Sequence, residues 1–212
     1  MPPPTEGLAV PDAATTTRRR RTALAGHLGD SQTARRALAD PAPGVRATAL
    51  GALARTGGLT AGDVTTAAAD PHPQVRARAA ELAAALHPAL TAVAEDALAD
   101  ADPQVVEAGC FALGEIGVAA APAVPALSAV GREHADPLCR EAAVAALGAI
   151  GDPAGLAAIL AATSDKPAVR RRAVLALAPF AGPEVDAALA RAQTDRDWQV
   201  RQAAEDLGGR RA

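Results

Sequence analysis

Six copies of one seven-residue box recur along this chain, and this recurrence constrains the fold more than any other feature. The pattern is Asp-x-x-Pro-x-Val-Arg, with proline at the fourth position in five of the six copies. Proline has a fixed φ and no N–H, which suits the first turn of a helix. Each box therefore predicts the start of a helix. The copies are spaced 30, 30, 34, 30 and 31 residues apart and begin at Asp40, Asp70, Asp100, His134, Ser164 and Asp195.

Apolar residues follow each box at one helical spacing, with offsets of 0, +4, +5, +7, +8 and +11 from its sixth residue. We expect the helix to end at a left-handed glycine, and a shorter helix to precede the next box. One such hairpin cannot bury its apolar face alone, whereas stacked hairpins share a continuous core. The sequence thus predicts an all-α fold, a right-handed α-solenoid of about six stacked helical hairpins. The expected helix-ending glycines are Gly57, Gly117, Gly151 and Gly182.

The composition agrees with tightly packed helices. Alanine accounts for 60 of the 212 residues, and the chain has two phenylalanines, one tryptophan and no tyrosine. Such a core is built from small aliphatic side chains at close backbone spacing. The net charge of −3 gives no general attraction to nucleic acid. Because Lys166 is the one lysine among 21 basic residues, the composition is also typical of a GC-rich bacterial coding sequence.

The box together with the Ala-Leu-Gly-x-Ile-Gly-Asp pattern of residues 146–152 resembles the HEAT-repeat family, in particular the short HEAT-like repeats of phycobilisome lyase subunits. The resemblance covers roughly residues 30–208. Because the period is shorter than the roughly 40 to 47 residues usual for HEAT repeats, we expect the first helix of each hairpin to have two to three turns.

The resemblance also implies that the Asp and Arg of each box form a structural ladder, in which each Arg meets an Asp of its own or an adjacent repeat. Val106 replaces an Arg of this ladder, and His134 and Ser164 replace an Asp. These interruptions are explained either by repeat drift or by a docking site for another molecule.

The two ends of the chain differ from the repeats. We expect a flexible, Pro-rich tail over residues 1–14 and one HEAT-like domain over residues 15–212, opening with a capping helix at residues 15–28. Arg18, Arg19, Arg20 and Arg21 circle this helix, so we expect them to be solvated; contact with an acidic partner or with nucleic-acid phosphate is the alternative.

No catalytic, cofactor or metal site is expected. The four histidines, His27, His72, His87 and His134, lack metal-ligand spacing, and no phosphate-binding or acyl-transfer motif is present. Cys110 and Cys139 lie among apolar residues, so we expect reduced core thiols and a cytoplasmic protein. The sequence suggests neither a secretion signal nor a membrane span.

On each box helix, the residues that are not assigned to the core face should point into a concave groove. We expect this groove to be acidic at its centre and basic at its carboxy-terminal end. Phe111 is an aromatic residue among small ones, which is typical of an interface anchor; partial burial against a neighbouring helix is the alternative. The candidate partner-binding residues are Arg78, Glu81, Glu107, Phe111, Glu115, Glu141, Arg171 and Arg172.

Three functions are compatible with these observations. The preferred one is a non-catalytic scaffold or adaptor that holds a basic or amphipathic protein segment in the groove. The second is a bilin-lyase-like or other small-molecule-processing subunit, which the resemblance permits. The third, a HEAT-like DNA glycosylase, fits less well because the groove centre is acidic. We therefore expect a protein or peptide partner and neither a membrane nor a nucleic acid, and whether the protein is an enzyme stays open.

Overall fold

The computed structural model describes residues 12–86 and 90–211, apart from the side chains of residues 85, 210 and 211. Over these residues the structure is helical and contains no β-strand, so the predicted all-α solenoid class is confirmed. The chain divides into two compact units, residues 1–63 and 64–212. Most of the predicted Pro-rich tail lies outside the described residues, and Ala13 and Ala14 belong to the first helix.

Each of the six boxes starts a long helix at its fourth residue, as predicted. In the described part of the chain, a helix of 7 to 10 residues precedes each of the six box helices, which confirms the expected two to three turns. The helices are α1 (Ala13–Leu28), α2 (Ser31–Ala37), α3 (Pro43–Arg55), α4 (Ala61–Ala68), α5 (Pro73–Leu86), α6 (Thr91–Ala97), α7 (Pro103–Ile116), α8 (Val124–Glu133), α9 (Pro137–Ile150), α10 (Leu156–Ala162), α11 (Pro167–Ala176), α12 (Pro183–Ala192) and α13 (Trp198–Arg211).

In the first unit, α1 packs on α2 and α3. The α3 residues Val45, Leu50 and Leu53 are buried there, and Ala34 of α2 is buried as well. Helix α1 begins two residues earlier than predicted because the Asp12 carboxylate accepts a hydrogen bond from the Thr15 N–H and caps the helix.

In the second unit, the long helices α5, α7, α9, α11 and α13 pack side by side in sequence order, and the short helices pack against them. The core is aliphatic and includes Leu113, Leu127, Leu147 and Ile159, all fully buried. On α9 every position assigned to the core face by the offset rule is buried: Cys139, Ala143, Val144, Ala146, Leu147 and Ile150.

Glycine ends α9 in the predicted way, but it does not end α11. Gly151 follows α9 in the left-handed conformation, with φ of 70°, and its N–H donates to the Leu147 carbonyl. Helix α11 stops at Ala176, and Gly182 instead precedes α12 as its N-cap residue. The expectation for Gly182 was wrong because α11 is shorter than the other interior box helices.

An ion-pair ladder connects successive boxes in the second unit. Arg76 pairs with Asp100, Arg140 with Asp165 and Arg170 with Asp195, each at 2.7 Å for the shorter contact. The Nη1 atom of each arginine also donates to a backbone carbonyl at the start of its own box, as Arg76 does to Asp70 at 3.0 Å. Each arginine therefore closes its own loop and holds the next repeat, which gives the box its structural role.

Val106 and His134, two of the three residues predicted to interrupt the ladder, occupy the two positions of one and the same ion pair. Since an arginine pairs with the first residue of the following box, Val106 and His134 stand where one ion pair would otherwise form. Val106 is buried, and the His134 Nδ1 atom accepts the Asp136 N–H at 3.1 Å, as the Asp100 carboxylate accepts the Asp102 N–H at 2.9 Å. The histidine keeps the loop-closing role of the aspartate and loses only the ion pair.

Ser164 does not interrupt the ladder, contrary to expectation. The adjacent Asp165 accepts from Arg140 with both carboxylate oxygens, at 2.7 and 2.8 Å. The acidic partner has moved by one residue along the loop, and the rung is kept.

Arg18 differs from the expectation of a run without a structural partner, because it forms an ion pair like those of the ladder although 42% of its side chain stays exposed. Its Nε lies 2.8 Å from the Asp40 Oδ2. A helix turns by about 100° per residue, so Arg19 and Arg20 face other directions, whereas Arg21, three residues after Arg18, lies near the same face. Arg19, Arg20 and Arg21 are exposed, as expected of a solvated run.

One stretch of the described residues, Pro103–Glu133, is long and apolar enough by length and composition to cross a membrane. It is not one continuous α-helix, because α7 ends at Ile116 and a 3-10 segment, Gly117–Ala123, precedes α8. Both α7 and α8 pack against α9. Packing in the core thus accounts for part of the apolar character of this stretch, since buried residues such as Leu113 and Leu127 belong to it.

Candidate functional site

A pocket of about 490 Å³ opens between α7 and α9 in the second unit. Its floor is made of small residues, among them Cys110, Gly114 and Ala146, and Phe111 and Leu138 stand at its sides. Gly114 lets the two helices approach, since a Cβ there would lie 3.3 Å from the Ala146 Cα. The pocket is therefore apolar at its base and bounded by two large apolar side chains.

Phe111 is 58% exposed and lines this pocket as well as a neighbouring one of about 620 Å³ between α5 and α7. It lies midway between Glu107 and Glu115, four residues from each, so the three side chains share one face of α7. The structure thus places the aromatic ring in solvent, between two carboxylates and at the junction of two pockets.

Leu138, 55% exposed, is a site residue that the offset rule missed. The rule counts from the sixth residue of the box, whereas Leu138 is the fifth and lies in the first turn of α9. A signal was present, because the other five boxes carry Gly, Gln or Ala at this position. An apolar residue at a position otherwise small or polar marks the exposed wall of the pocket.

The acidic centre is smaller than predicted, because two of its four carboxylates are paired. Glu81 accepts from Arg78 at 2.7 Å, and Glu141 lies 3.3 Å from Arg172. Arg172 lines the main pocket, whereas Arg171 lines neither of the two pockets. The predicted basic end is therefore partly neutralised by Glu141.

Glu107 and Glu115 are the carboxylates of this site without an ion pair among the described residues. Burial raises the pKa of the Glu107 carboxyl, and the nearby carboxylates of Asp136 and Glu141 raise it further, against a smaller opposing effect of His134. The ionised Glu107 is thus partly desolvated and surrounded by like charge. A cation placed beside it would stabilise the ionised form.

The cysteines of this region are poor nucleophiles and poor metal ligands at neutral pH. Burial raises the pKa of the Cys110 thiol to about 12 and that of the Cys139 thiol to about 11. In the described part of the chain, no group of three or more His, Cys, Asp or Glu side chains is arranged to hold a metal ion. His87 lies outside the described residues.

Stacked helical hairpins joined by a box ladder define the class of α-helical repeat proteins of the HEAT and armadillo type. The family model described as HEAT repeats matches residues 124–207. Residues 124–207 thus match HEAT repeats, which confirms the resemblance noted in the sequence, although the phycobilisome-lyase type is not confirmed. No curated protein matches the sequence.

Solved structures with similar folds share little sequence with this chain. The Escherichia coli protein YibA is 15% identical with a TM-score of 0.65, covering 93% of this chain and 75% of its own. An engineered protein is 19% identical with a TM-score of 0.62, covering 84% and 94%. A designed armadillo repeat protein in complex with the peptide (KR)4 is 15% identical with a TM-score of 0.58, covering 89% and 97%. These similarities establish the fold.

Proposed function

We propose that this protein is a non-catalytic scaffold that binds a basic, amphipathic segment of a partner protein on the face formed by α5, α7 and α9. The observation that carries the proposal is the exposed Phe111 ring between the carboxylates of Glu107 and Glu115, which form no ion pair with any residue that the structure describes. Together they form an apolar anchor with a negative charge on either side along the helix.

The partner's basic character is inferred from the charges left unpaired. Glu81 and Glu141 already have arginine partners, so Glu107 and Glu115 set the unbalanced charge beside Phe111. They lie eight residues apart on α7, about 12 Å along its axis at about 1.5 Å per residue. An extended peptide covers this distance in about four residues, at about 3.3 Å each. Two basic residues about four positions apart on an extended segment fit the pair.

The partner's apolar character is inferred from the pocket. A solvent-exposed phenylalanine beside an exposed leucine, above a floor of alanine and glycine, offers apolar surface that a partner can cover. The apolar contact supplies most of the residence time, whereas the carboxylates mainly speed association and select the sequence. A similar fold that is known with the peptide (KR)4 supports a cationic peptide as the ligand class.

The test uses fluorescein-labelled peptides in fluorescence anisotropy. One probe is (Lys-Arg)4, and a second replaces two central residues with leucines so that an apolar side chain is flanked by basic ones. We expect the second peptide to bind more tightly, and Phe111→Ala to weaken its binding by about 2 kcal/mol, or about 30-fold. Glu115→Lys should mainly slow association and reduce its dependence on salt.

Two matched controls lie outside both pockets. Trp198→Ala removes an aromatic side chain that is 64% exposed, and Glu133→Gln removes an exposed carboxylate. Both variants should bind like the unmodified protein. If Phe111→Ala and Glu115→Lys also bind both peptides with the affinity of the unmodified protein, the partner-binding surface is elsewhere. Binding of a Glu-rich peptide with equal affinity would contradict the basic-partner part of the proposal.

We also propose a cytoplasmic location, which the expectation of reduced thiols supports. Cys110 and Cys139 are free and buried, and their raised pKa values keep them protonated at neutral pH. Expression of a fluorescent fusion followed by cell fractionation tests this location.

A further inference from the structure

A second pocket of opposite charge lies in the first unit, between α1 and α2. It has a volume of about 220 Å³ and is lined by Arg18 and Arg21 of α1, by Arg36 of α2 and by Asp40. Because residues three apart share a helix face, Arg18 and Arg21 both reach this pocket, whereas Arg19 and Arg20 do not line it. The arginine run is thus divided into two residues at a pocket and two residues away from it.

The pocket carries an excess of positive charge. Asp40 is already occupied, because it accepts from Arg18 at 2.8 Å and from the Ala42 N–H at 2.9 Å. Arg21 and Arg36 form no ion pair among the described residues. The charge of Arg36 also acts on the carboxylate of Asp30. Hydrogen bonds from Thr33 are the main cause of the lowered pKa of Asp30, and the charge of Arg36 lowers it less. Two guanidinium groups therefore face the pocket without a bonded anion.

The part of the chain that contains this pocket also carries a net positive charge. Residues 1–63 contain eight arginines and five carboxylates, whereas residues 64–212 contain 13 basic and 19 acidic side chains. The net charge of −3 thus hides a positive first unit. An anion close to this unit therefore meets a net positive charge as well as a discrete pocket.

We propose that the pocket between α1 and α2 binds a phosphate monoester, with the guanidinium groups of Arg21 and Arg36 as its ligands. Guanidinium forks match the geometry of phosphate oxygens, and a monoester carries nearly two negative charges at neutral pH. A nucleic-acid backbone fits less well, because duplex binding needs a track of several phosphate contacts and the other exposed arginines of the run turn away from the pocket. This inference is independent of the binding site around Phe111.

Isothermal titration calorimetry at constant ionic strength tests the proposal, with inorganic phosphate and a phosphoserine peptide as the probes. We expect saturable binding with a dissociation constant of about 1 mM or below. Arg21→Gln combined with Arg36→Gln should weaken binding about tenfold or more. Arg19→Gln combined with Arg20→Gln removes the same charge from exposed positions outside the pocket and should change binding by less than about twofold.

The two probes distinguish the sources of the phosphate. Tighter binding of the peptide than of inorganic phosphate assigns the site to a phosphorylated protein, and the reverse order assigns it to a small phosphate compound. Binding should also weaken as the pH falls below about 6, where the phosphate gains its second proton. Equal losses in the two double variants would overturn the proposal, because general charge would then explain the binding. Binding that does not saturate would also overturn the proposal. Duplex DNA binding that both double variants weaken equally would overturn it as well.

Discussion

Removing Arg170 measures what one rung of the ladder contributes to stability. Arg170 is the most buried arginine of the described rungs, with 7% of its side chain exposed, and it donates three hydrogen bonds. Two reach the Asp195 carboxylate, at 2.7 and 2.9 Å, and the third reaches the Asp165 carbonyl at 2.9 Å. Arg170→Ala leaves the carboxylate and the carbonyl without these donors.

The magnitude follows from what remains around Asp195. Breaking a fully buried ion pair costs about 3 to 5 kcal/mol. Asp195 keeps 16% exposure of its side chain and a hydrogen bond from the Asp197 N–H at 2.8 Å, which places the cost at the lower end. We expect about 3 kcal/mol, which lowers the urea midpoint by about 1 to 2 M at an m-value of about 2 kcal/mol/M.

Arg171→Ala is the matched control, because it removes the same side chain from the next position of the same helix. Arg171 has no ion pair among the described residues, so this change should cost less than about 0.5 kcal/mol. Fluorescence of Trp198, the one tryptophan of the chain, reports on the start of α13, and far-ultraviolet circular dichroism reports on all helices. Equal midpoints for the two variants would show that the ladder does not stabilise the fold.

The same rung has a predictable pH dependence. The hydrogen bonds from Arg170 lower the pKa of the Asp195 carboxyl below its usual value. A carboxyl with a lowered pKa contributes stability above its unfolded pKa, about 3.9, and loses this contribution as the pH falls through the folded value. The difference in stability between the unmodified protein and Arg170→Ala should therefore be constant from pH 5 to 8 and narrow below about pH 4. A difference that stays unchanged at pH 2 would contradict this linkage.

Two further substitutions test other parts of the structure by urea denaturation. Arg18→Ala should lower the midpoint more than Arg19→Ala, because Arg18 pairs with Asp40 and Arg19 is solvated; equal effects would refute the rung in α1. Gly148→Ala should destabilise by about 1 to 3 kcal/mol, since its Cβ would lie 2.7 Å from atoms of α11, whereas Gly209→Ala, with open space around it, should be neutral or stabilising.

The repeat boundaries were predictable because the box determines them chemically. Proline at the fourth position fixes the first turn, and the 3.6-residue period fixes which face is buried. These two rules act within one helix, so no knowledge of neighbouring repeats is needed. Helix ends at the carboxyl side were less predictable, as Gly182 shows, because several residues of a loop can end a helix.

The charges of the candidate site were harder to predict because they depend on pairs. Arg78 and Glu81 lie three residues apart on one helix, so this pair could have been inferred from the sequence. The pair of Arg172 and Glu141 joins two helices, and its formation depends on their separation and axial offset. In the fifth box the acidic partner of Arg140 is Asp165 and not the first box residue, Ser164. Whether an aspartate at this shifted position can form the ion pair likewise depends on the shape of a loop.

The missing rung and the pocket occur at the same helix pair. Between α7 and α9, Val106 and His134 replace the ion pair that joins the other long helices from α5 to α13. Apolar contacts, which are non-directional, and a hydrogen bond from the Cys139 thiol to the Pro103 carbonyl at 3.4 Å hold this junction, whereas a bidentate ion pair fixes two helices in one register. A small adjustment of α7 against α9 therefore breaks no ladder bond. The junction at which Phe111 and Leu138 flank the pocket is thus the one between α5 and α13 where the proposed partner could shift two long helices without breaking a ladder ion pair.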